Sequence, residues 1–134
     1  MSKENVEIVQ EYFASVRRGD WERVAQLVDP KIEMHGTVGG LGEGRIYQGM
    51  AEIMDEFQNE DLEAWEERRL EPQEFIDAGE NVVMLLHEYR RGKGSGVPLE
   101  SDTGVVIAVR DGRVVRIQGY MDPSAALEAV GLRE

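Results

Sequence analysis

Histidine is the side chain whose charge changes near neutral pH, and this chain has two, His35 and His87. Period-two alternation in the segment 81–91 puts His87 on one strand face with Val83, Leu85 and Tyr89. An imidazole in such apolar surroundings has its charged form disfavoured, so it can act as a neutral base. The spacing predicts proton transfer by His87, with His35 on a neighbouring strand. The alternative is that His87 only donates a hydrogen bond to a backbone carbonyl.

The two histidines are not sufficient to form a metal site. They have no fixed spacing and no third inward ligand, whereas a protein-bound metal usually needs about three or four. The chain has no cysteine, which excludes disulfides, thiolate catalysis and Cys-ligated zinc or iron–sulfur centres. We therefore expect no metal and no other cofactor, so that any chemistry would proceed without a redox group.

Charge and hydropathy exclude several partners. The net charge is −12, and eight carboxylates but no basic residue lie between Arg45 and Arg68, so nucleic acids and anionic membrane surfaces would be repelled. The longest apolar runs, residues 82–86 and 105–109, are five residues each, far short of the roughly 20 that cross a bilayer. The first residues lack the apolar segment of a signal peptide. We expect a cytoplasmic protein that contacts neither a membrane nor a nucleic acid.

Three helices are predicted in the first half of the chain, because apolar residues recur there at three- and four-residue spacing. The predicted helices cover residues 3–18, 21–28 and 50–57. Asp20 is expected to cap the second helix with its side chain. A short strand around Ile32 is followed by residues 36–49, whose six glycines predict a long, mobile loop over a cavity mouth.

The second half of the chain is predicted to be strands joined by short turns, which makes antiparallel hairpins. The predicted strands are residues 65–76, 81–91, 97–109 and 113–121. A last short helix begins after Asp122, and Gly131 with Leu132 is expected to close it as a Schellman ending. Helices followed by strands indicate one α+β domain over residues 1–134. In it, a highly curved antiparallel or mixed sheet wraps over three N-terminal helices and leaves a cone-shaped hollow.

The chain contains five short sequence phrases that follow one another in a fixed order. They are residues 8–13 leading to Gly19-Asp20-Trp21, Asp29-Pro30 before residues 32–35, Tyr47-Gln48-Gly49-Met50, residues 110–115, and Tyr120-Met121-Asp122. In these phrases and their spacing the chain resembles the SnoaL-like group of the nuclear transport factor 2-like superfamily, over nearly its whole length. The resemblance implies a cone fold with a pocket for a small hydrophobic molecule. It does not select an activity, because this superfold carries isomerases, epoxide hydrolases, polyketide cyclases, dehydratases and non-catalytic binding modules.

The resemblance also implies roles for particular residues. Tyr12 falls where the steroid isomerases of the superfamily place an oxyanion-stabilising tyrosine, but their aspartate base has no counterpart near His35. The three polar residues of the epoxide hydrolases fall at Tyr89, Arg91 and Gly119, and none matches. Gly119 also stands where the cyclases carry an inward carboxylate. The chain therefore lacks part of the residue pattern of each of three enzyme classes: the steroid isomerases, the epoxide hydrolases and the SnoaL-type cyclases.

Two functions stay open from the sequence. In the first, a polyketide- or steroid-like molecule undergoes isomerisation, cyclisation or hydration, while Tyr12 polarises an oxygen and His87 or His35 moves the proton. In the second, the protein is a non-catalytic ligand-binding or dimeric interaction module. The pocket is expected to be lined by Tyr12, Met34, Tyr47, His87, Tyr89 and Gly119, with His35 at its rim.

A homodimer is predicted through the outer face of the sheet. Strand alternation assigns six apolar side chains to that face: Val82, Met84, Leu86, Val106, Ala108 and Val114. An exposed apolar patch of this kind usually marks an association surface.

Overall fold

Helices occupy the first part of the chain and strands dominate the second in the computed structural model, which describes residues 2–40, 42–56 and 65–132. The helices are α1 (Ser2–Arg18), α2 (Trp21–Leu27), α3 (Gly49–Glu56) and α4 (Pro123–Ala129). The strands are β1 (Val28–Val38), β2 (Ile46–Gln48), β3 (Trp65–Ala78), β4 (Asn81–Gly92), β5 (Pro98–Arg110) and β6 (Arg113–Tyr120). Phe57, the last residue predicted for the third helix, lies outside the described residues.

In the described part of the chain, six strands form one open sheet in the order β2-β1-β6-β5-β4-β3. Strands β1 and β6 run parallel, and all other neighbours are antiparallel. Short hairpins connect β3 to β6 in sequence, whereas β1 joins the sheet beside the last strand. The predicted α+β class, with a mixed sheet, N-terminal helices and a short C-terminal helix, is confirmed.

The hydrophobic core lies between the first three helices and one face of the sheet, which we call the inner face. Helix α1 contributes Val9 and Phe13, α2 contributes Val24 and Leu27, and α3 contributes Ile53. The inner face meets them with Val82, Met84, Leu86, Ile107, Val114 and Ile117. Burial of these side chains is what holds the helices on the sheet, since the hydrophobic effect scales with the apolar area removed from water.

The opposite, outer face of β4 is also apolar. Val83 is fully buried there against Ala126 and Leu127, because helix α4 packs on this side of the sheet. The assignment of faces on β4 was therefore wrong: Met84 and its alternating neighbours face inward. Because both faces of β4 are apolar, the alternation of side chains along the strand cannot show which face is the inner one.

This correction changes the predicted dimer surface. Val82, Met84, Leu86 and Val114 belong to the core, so four of the six residues assigned to an interface are not available for one. Val106 packs against the α4 residues. A homodimer stays a prediction, to be checked by light scattering at micromolar concentration, but the surface predicted for it was wrong.

The glycine-rich segment is more regular than predicted. Strand β1 continues to Val38 and β2 begins at Ile46, so the described loop residues are only 39–40 and 42–45. The Gly36 amide donates to the Arg45 carbonyl at 2.8 Å. A Cβ on Gly36 would overlap the carbonyl oxygen of Gly42. Glycine is required at position 36 because the loop backbone packs directly on the strand.

Two predicted helix ends are confirmed. The Asp20 carboxylate caps α2 by accepting from the Arg23 amide at 3.2 Å. Gly131 has a φ of 81°, and the Leu132 amide donates to the Leu127 carbonyl at 2.9 Å, which is the Schellman arrangement. The second of these ends places Leu132 against the apolar cluster between α4 and the outer face of the sheet.

Candidate functional site

A cavity of about 810 Å³ lies between α1 and the inner face of the sheet. Small-molecule sites usually occupy roughly 300–1,000 Å³. Helix α1 contributes Tyr12, Phe13 and Val16 to the wall. The strands contribute further apolar residues, among them Leu70, Met84, Leu86, Val105, Ile107 and Ile117. The fold thus encloses a mostly apolar space large enough for a ligand.

One buried carboxylate, Glu88, lies in the wall of this cavity together with Arg68, Arg90 and Thr103. Glu88 Oε1 accepts from Arg90 Nη2 at 2.7 Å and from Arg68 Nη2 at 3.4 Å. Its Oε2 accepts from the Thr103 hydroxyl at 3.3 Å. The Glu88 side chain is only 8 % exposed, and a carboxylate this far from water needs charged and hydrogen-bonding partners. We call these four residues the Glu88 cluster.

The pairing of three strands brings the Glu88 cluster together. Arg68 of β3 lies directly opposite Arg90 of β4, and Thr103 of β5 lies directly opposite Leu86. Directly paired residues share a sheet face, and every second residue returns to that face. Glu88, two residues from both Leu86 and Arg90, therefore points to the same inner side as all of them.

Sequence reasoning missed the Glu88 cluster because it assigned Glu88 and Arg90 to the outer face. One signal was present: a carboxylate and a guanidinium two residues apart at the end of an otherwise apolar face. The other two partners, Arg68 and Thr103, come from separate strands. Their approach depends on strand register, which the pattern of one strand does not contain.

His87 lies on the outer face, so the prediction that it faces the cavity was wrong. Its Nδ1 is 2.7 Å from Asp102 Oδ1, and its Nε2 is 2.9 Å from Glu100 Oε1. The hydrogen bond to Asp102 and, as the second contribution, the hydrogen bond to Glu100 raise the pKa of His87 above its ordinary value. His87 is consequently a cross-strand ion-pair partner of β5, not a neutral base in an apolar pocket.

Tyr89 follows His87 on the outer face and does not line the cavity either, which corrects a second prediction. The Arg69 guanidinium lies 4.4 Å from the centroid of the Tyr89 ring. A cation over a tyrosine face is attracted by the ring quadrupole. Tyr89 therefore contributes to the contact between β3 and β4.

Tyr12 lies in the cavity wall and is 6 % exposed. Burial raises the pKa of its hydroxyl well above the ordinary value, so the group stays protonated and can donate. Within the described ranges, no residue forms a hydrogen bond with the Tyr12 hydroxyl. This hydroxyl is a donor on the helix side of the cavity, opposite the strands that carry the Glu88 cluster.

Four more of the predicted residues border the cavity: Met34, His35, Tyr47 and Gly119. The His35 imidazole forms a hydrogen bond with the Glu33 carboxylate, with 3.0 Å between Nε2 and Oε1. Glu33 also accepts from Gln48 Nε2 at 3.2 Å, and these two hydrogen bonds lower the pKa of Glu33. His35 is thus tied to a carboxylate at the edge of the cavity.

At Gly119 the place of a side chain is taken by Thr37 of β1. A Cβ on Gly119 would lie 2.7 Å from Thr37 Oγ1. The resemblance implied an inward carboxylate at this position in the cyclases. In this chain a threonine hydroxyl from the neighbouring strand occupies that part of the wall.

Within residues 2–40, 42–56 and 65–132, no group of three or more His, Cys, Asp or Glu side chains is arranged to hold a metal ion. Over the same ranges, no helix is both long and apolar enough to cross a membrane.

Comparison with known proteins identifies the family. The model of the SnoaL-like domain matches residues 9–117, so the chain belongs to the SnoaL-like domain family. No curated protein matches the chain.

Solved structures share this fold over most of their length. TerC, co-crystallized with polyporic acid, is 27 % identical, with 95 % of this chain and 98 % of that chain covered and a TM-score of 0.74. A nuclear transport factor 2-like protein from Burkholderia xenovorans LB400 is 26 % identical, with 98 % of both chains covered and a TM-score of 0.74. A candidate polyketide cyclase from Sinorhizobium meliloti is 21 % identical, with 84 % of this chain and 93 % of that chain covered and a TM-score of 0.65. At that identity, the last likeness shows the fold alone.

Proposed function

We propose that this protein binds a small hydrophobic molecule in the cavity and transfers a proton on it, with Glu88 as the group that accepts and returns the proton. The observation that carries this proposal is the position of Glu88, a buried carboxylate in the wall of a mostly apolar cavity. General acid–base catalysis needs a titratable group within reach of the ligand, and water exclusion strengthens its interactions. Glu88 takes the role that the sequence assigned to His87.

Tyr12 supplies the second part of the mechanism. When the Glu88 carboxylate removes a proton from a carbon beside a carbonyl, the C–H electron pair moves into the new double bond and the carbonyl becomes an enolate. The Tyr12 hydroxyl then donates to the negative oxygen, as oxyanion donors do. Where the substrate carries a second carbon–carbon double bond next to that carbon, the intermediate is a dienolate. Return of the proton from Glu88 to the far carbon of the dienolate shifts the double bond, restores the carboxylate and completes an isomerisation.

The substrate class follows from the family and the cavity together. An apolar space of about 810 Å³ suits a polyketide- or steroid-like molecule. The co-crystallization of TerC with polyporic acid supports a small-molecule ligand for this fold. Enolate chemistry serves isomerisation, and it serves cyclisation when the enolate carbon attacks a second carbonyl of the same molecule. Hydration of an enone also passes through an enolate, which forms when water adds to the double bond and is then protonated.

Non-catalytic binding is the second candidate function, and one observation favours it. Both oxygens of Glu88 already accept hydrogen bonds, from Arg90 and Arg68 on Oε1 and from Thr103 on Oε2. These partners hold the carboxylate in place and compete with a substrate for its lone pairs. In this alternative, the Glu88 cluster only orients the polar end of a ligand.

Two probes separate the candidates. Prodan, a neutral naphthyl ketone whose emission shifts when it leaves water, reports occupation of the cavity. Tetralone, an apolar cyclic ketone, reports proton transfer through deuterium uptake at its α-carbon in D2O. We expect wild-type protein to bind Prodan and to accelerate exchange, and Glu88→Gln to lose about 100-fold or more of that acceleration while binding Prodan. Glu128→Gln, an exposed glutamate on α4, is the matched control and should behave as wild type.

Each other outcome has a definite meaning. Prodan binding without any wild-type acceleration of exchange would favour the non-catalytic alternative. Equal acceleration by wild type and Glu88→Gln would remove Glu88 from the mechanism. Absence of Prodan binding would overturn both candidate functions, because both need an accessible cavity.

A further inference from the structure

Thr37 presents a hydroxyl group to the cavity from β1. Its side chain packs over Gly119 of β6, and both residues lie in the cavity wall. A Cβ on Gly119 would lie 2.7 Å from Thr37 Oγ1 and 3.5 Å from Thr37 Cβ. Gly119 pairs with Val105, another residue of the wall, so a side chain at position 119 would point into the cavity. The Thr37 hydroxyl therefore lies on the cavity side of the sheet.

A β-bulge in β1 places Thr37 in this position. His35 of β1 lies opposite Gln118 of β6. The next pair is Val38 with Tyr120, so three residue steps of β1 run beside two of β6. A bulge adds one residue to a strand and changes the direction in which a side chain points. The direction of the Thr37 side chain is thus a consequence of strand pairing.

Hydrogen bonds hold the backbone on both sides of Thr37. Gln118 donates through Nε2 to the Gly36 carbonyl at 2.9 Å and to the Gly119 carbonyl at 3.1 Å, so it joins the two strands at the bulge. After the bulge, the Gly40 amide donates to the Thr37 carbonyl at 2.9 Å. Because this backbone is already fixed, the Thr37 hydroxyl can bind a ligand without a costly rearrangement.

The Thr37 hydroxyl also has hydrogen-bonding capacity left for a ligand. Thr37 is half-buried, and its hydroxyl forms no hydrogen bond with a described residue. A hydroxyl can donate one hydrogen bond and accept others. A ligand oxygen at this place would gain a hydrogen bond, whereas a hydrocarbon surface would cover the hydroxyl and leave it unsatisfied, which is unfavourable. The wall at Thr37 therefore favours an oxygen function of the ligand.

This oxygen cannot be the one at which the proposed reaction occurs. The Glu88 carboxylate lies beside Thr103 of β5, and only β6 separates β5 from β1, so Thr103 is about 10 Å from Thr37 across the strands. Along β5, Thr103 is two residues, or about 7 Å, from Val105, which is level with Gly119. A carbonyl oxygen is only two bonds from its α-carbon. With that carbon at Glu88, an oxygen at Thr37 must belong to a second group.

We infer that the ligand carries a second oxygen function, a hydroxyl or carbonyl group at the end of the molecule away from the reacting carbonyl, and that the Thr37 hydroxyl binds it. This inference rests on the proposed function, because it needs a ligand in the cavity. It narrows the substrate class from any hydrophobic ketone to a multi-ring molecule with an oxygen at each end. The apolar middle of that molecule would lie against wall residues between the two ends, such as Val105 and Ile117.

Testosterone and its deoxy analogue, which lacks the hydroxyl group, test this inference. They share four rings and one ketone, and the hydroxyl group is at the far end from that ketone. Each is titrated against protein-bound Prodan, and the displacement gives its affinity. In Thr37→Val, the affinity for testosterone divided by that for the deoxy analogue should fall about fivefold relative to wild type, the size of one neutral hydrogen bond. Thr37→Ser, which keeps the hydroxyl, is the matched control and should retain the wild-type ratio.

Two further measurements separate the hydroxyl group from a general effect on the fold. Gly119→Ala keeps the Thr37 hydroxyl but puts a methyl group 2.7 Å from the present position of Oγ1, so the hydroxyl must move and the affinity ratio should fall as well. The urea midpoint of Thr37→Val should match that of wild type, because the hydroxyl has no hydrogen bond with a described residue to lose.

The failure of this inference differs from the failure of the proposed function. An affinity ratio that is the same in wild type and Thr37→Val would overturn the second oxygen at Thr37 and leave cavity binding in place. An equal fall in Thr37→Ser, or failure of both steroids to displace bound Prodan, would do the same. Protein that does not bind Prodan would overturn the proposed function and the inference with it.

Discussion

His87 and Glu88 are consecutive residues of β4, and their side chains lie on opposite faces of the sheet. Glu88 points into the cavity, where it accepts a hydrogen bond from Thr103 of β5. His87 points outward, where it is held by Asp102, the residue before Thr103. The ion pair on the outer face thus joins the same two strands at the same level as the hydrogen bond in the cavity.

The stability of this protein should depend on the charge of His87. Hydrogen bonds to Asp102 and Glu100 raise the pKa of His87 above its ordinary value of 6.5, so the folded state binds the imidazole proton more tightly than the unfolded state does. The resulting stabilisation is fully present below 6.5 and is lost as pH rises through the folded pKa. Urea midpoints of wild type and His87→Gln should therefore differ most near pH 6 and converge at alkaline pH, once His87 has lost its proton in the folded state.

Other charges around His87 define the control for this experiment. Glu71 of β3 lies directly opposite His87, and Arg69 is stacked on the neighbouring Tyr89. Asp102→Asn keeps all of these but removes the first hydrogen-bonding partner, so it should flatten the pH dependence without abolishing it. A stability difference between wild type and His87→Gln that is constant across this pH range would contradict the ion-pair assignment.

Thr103→Val should destabilise the protein by about 1–3 kcal/mol, because it leaves a buried carboxylate oxygen of Glu88 without its hydroxyl partner. Chemical denaturation measures the loss. Ser101→Ala, two residues away on the same strand, is the control, since its side chain has no hydrogen bond to a described residue, and it should change stability by less than about 0.5 kcal/mol. In a double-mutant cycle, Glu88→Gln should reduce the cost of Thr103→Val. Purely additive losses would mean that the two side chains do not interact.

Gly36→Ala should be far more damaging than Gly42→Ala. A methyl group at position 36 would overlap the Gly42 carbonyl oxygen, whereas a Cβ at position 42 meets no atom within 4 Å. The first change must push the loop off β1, and overpacking of this kind costs about 1–3 kcal/mol. The second should be nearly neutral. Thermal melts of the two variants test the difference, and equal melting temperatures would show that the loop does not pack on Gly36 in solution.

Most of the fold could be predicted because it depends on local signals. The helix ends at Asp20 and Gly131 follow from capping chemistry that involves only neighbouring residues. The hairpins follow from turn residues such as Asp111-Gly112. Strand β1 was predicted to end before Gly36, because the glycines that begin there indicate a loop. In the structure β1 pairs with β2 on one side and β6 on the other, and it continues through Gly36, where the loop packs on it.

The site could be predicted only in part. Tyr12 was found through the resemblance to the steroid isomerases of the superfamily, and its place in the cavity wall agrees with that expectation. Glu88 was missed because charged side chains are rarely buried. What makes its burial possible is Arg68, which comes from another strand. Helix α4, at the far end of the chain, packs on the outer face, so that face is apolar as well and hydrophobicity alone does not identify the face of β4 that holds the cavity.

Tyr12→Phe should separate function from stability. The Tyr12 hydroxyl forms no hydrogen bond with a described residue, so its removal should leave the urea midpoint unchanged or slightly higher. If the hydroxyl donates to an enolate oxygen, the same variant should lose about 100-fold of the tetralone exchange rate, the scale of one oxyanion donor. Tyr47→Phe is the matched control, because Tyr47 also borders the cavity but is assigned no part in the chemistry. A drop in stability of about 1 kcal/mol with unchanged exchange would assign the Tyr12 hydroxyl to folding and remove it from the mechanism.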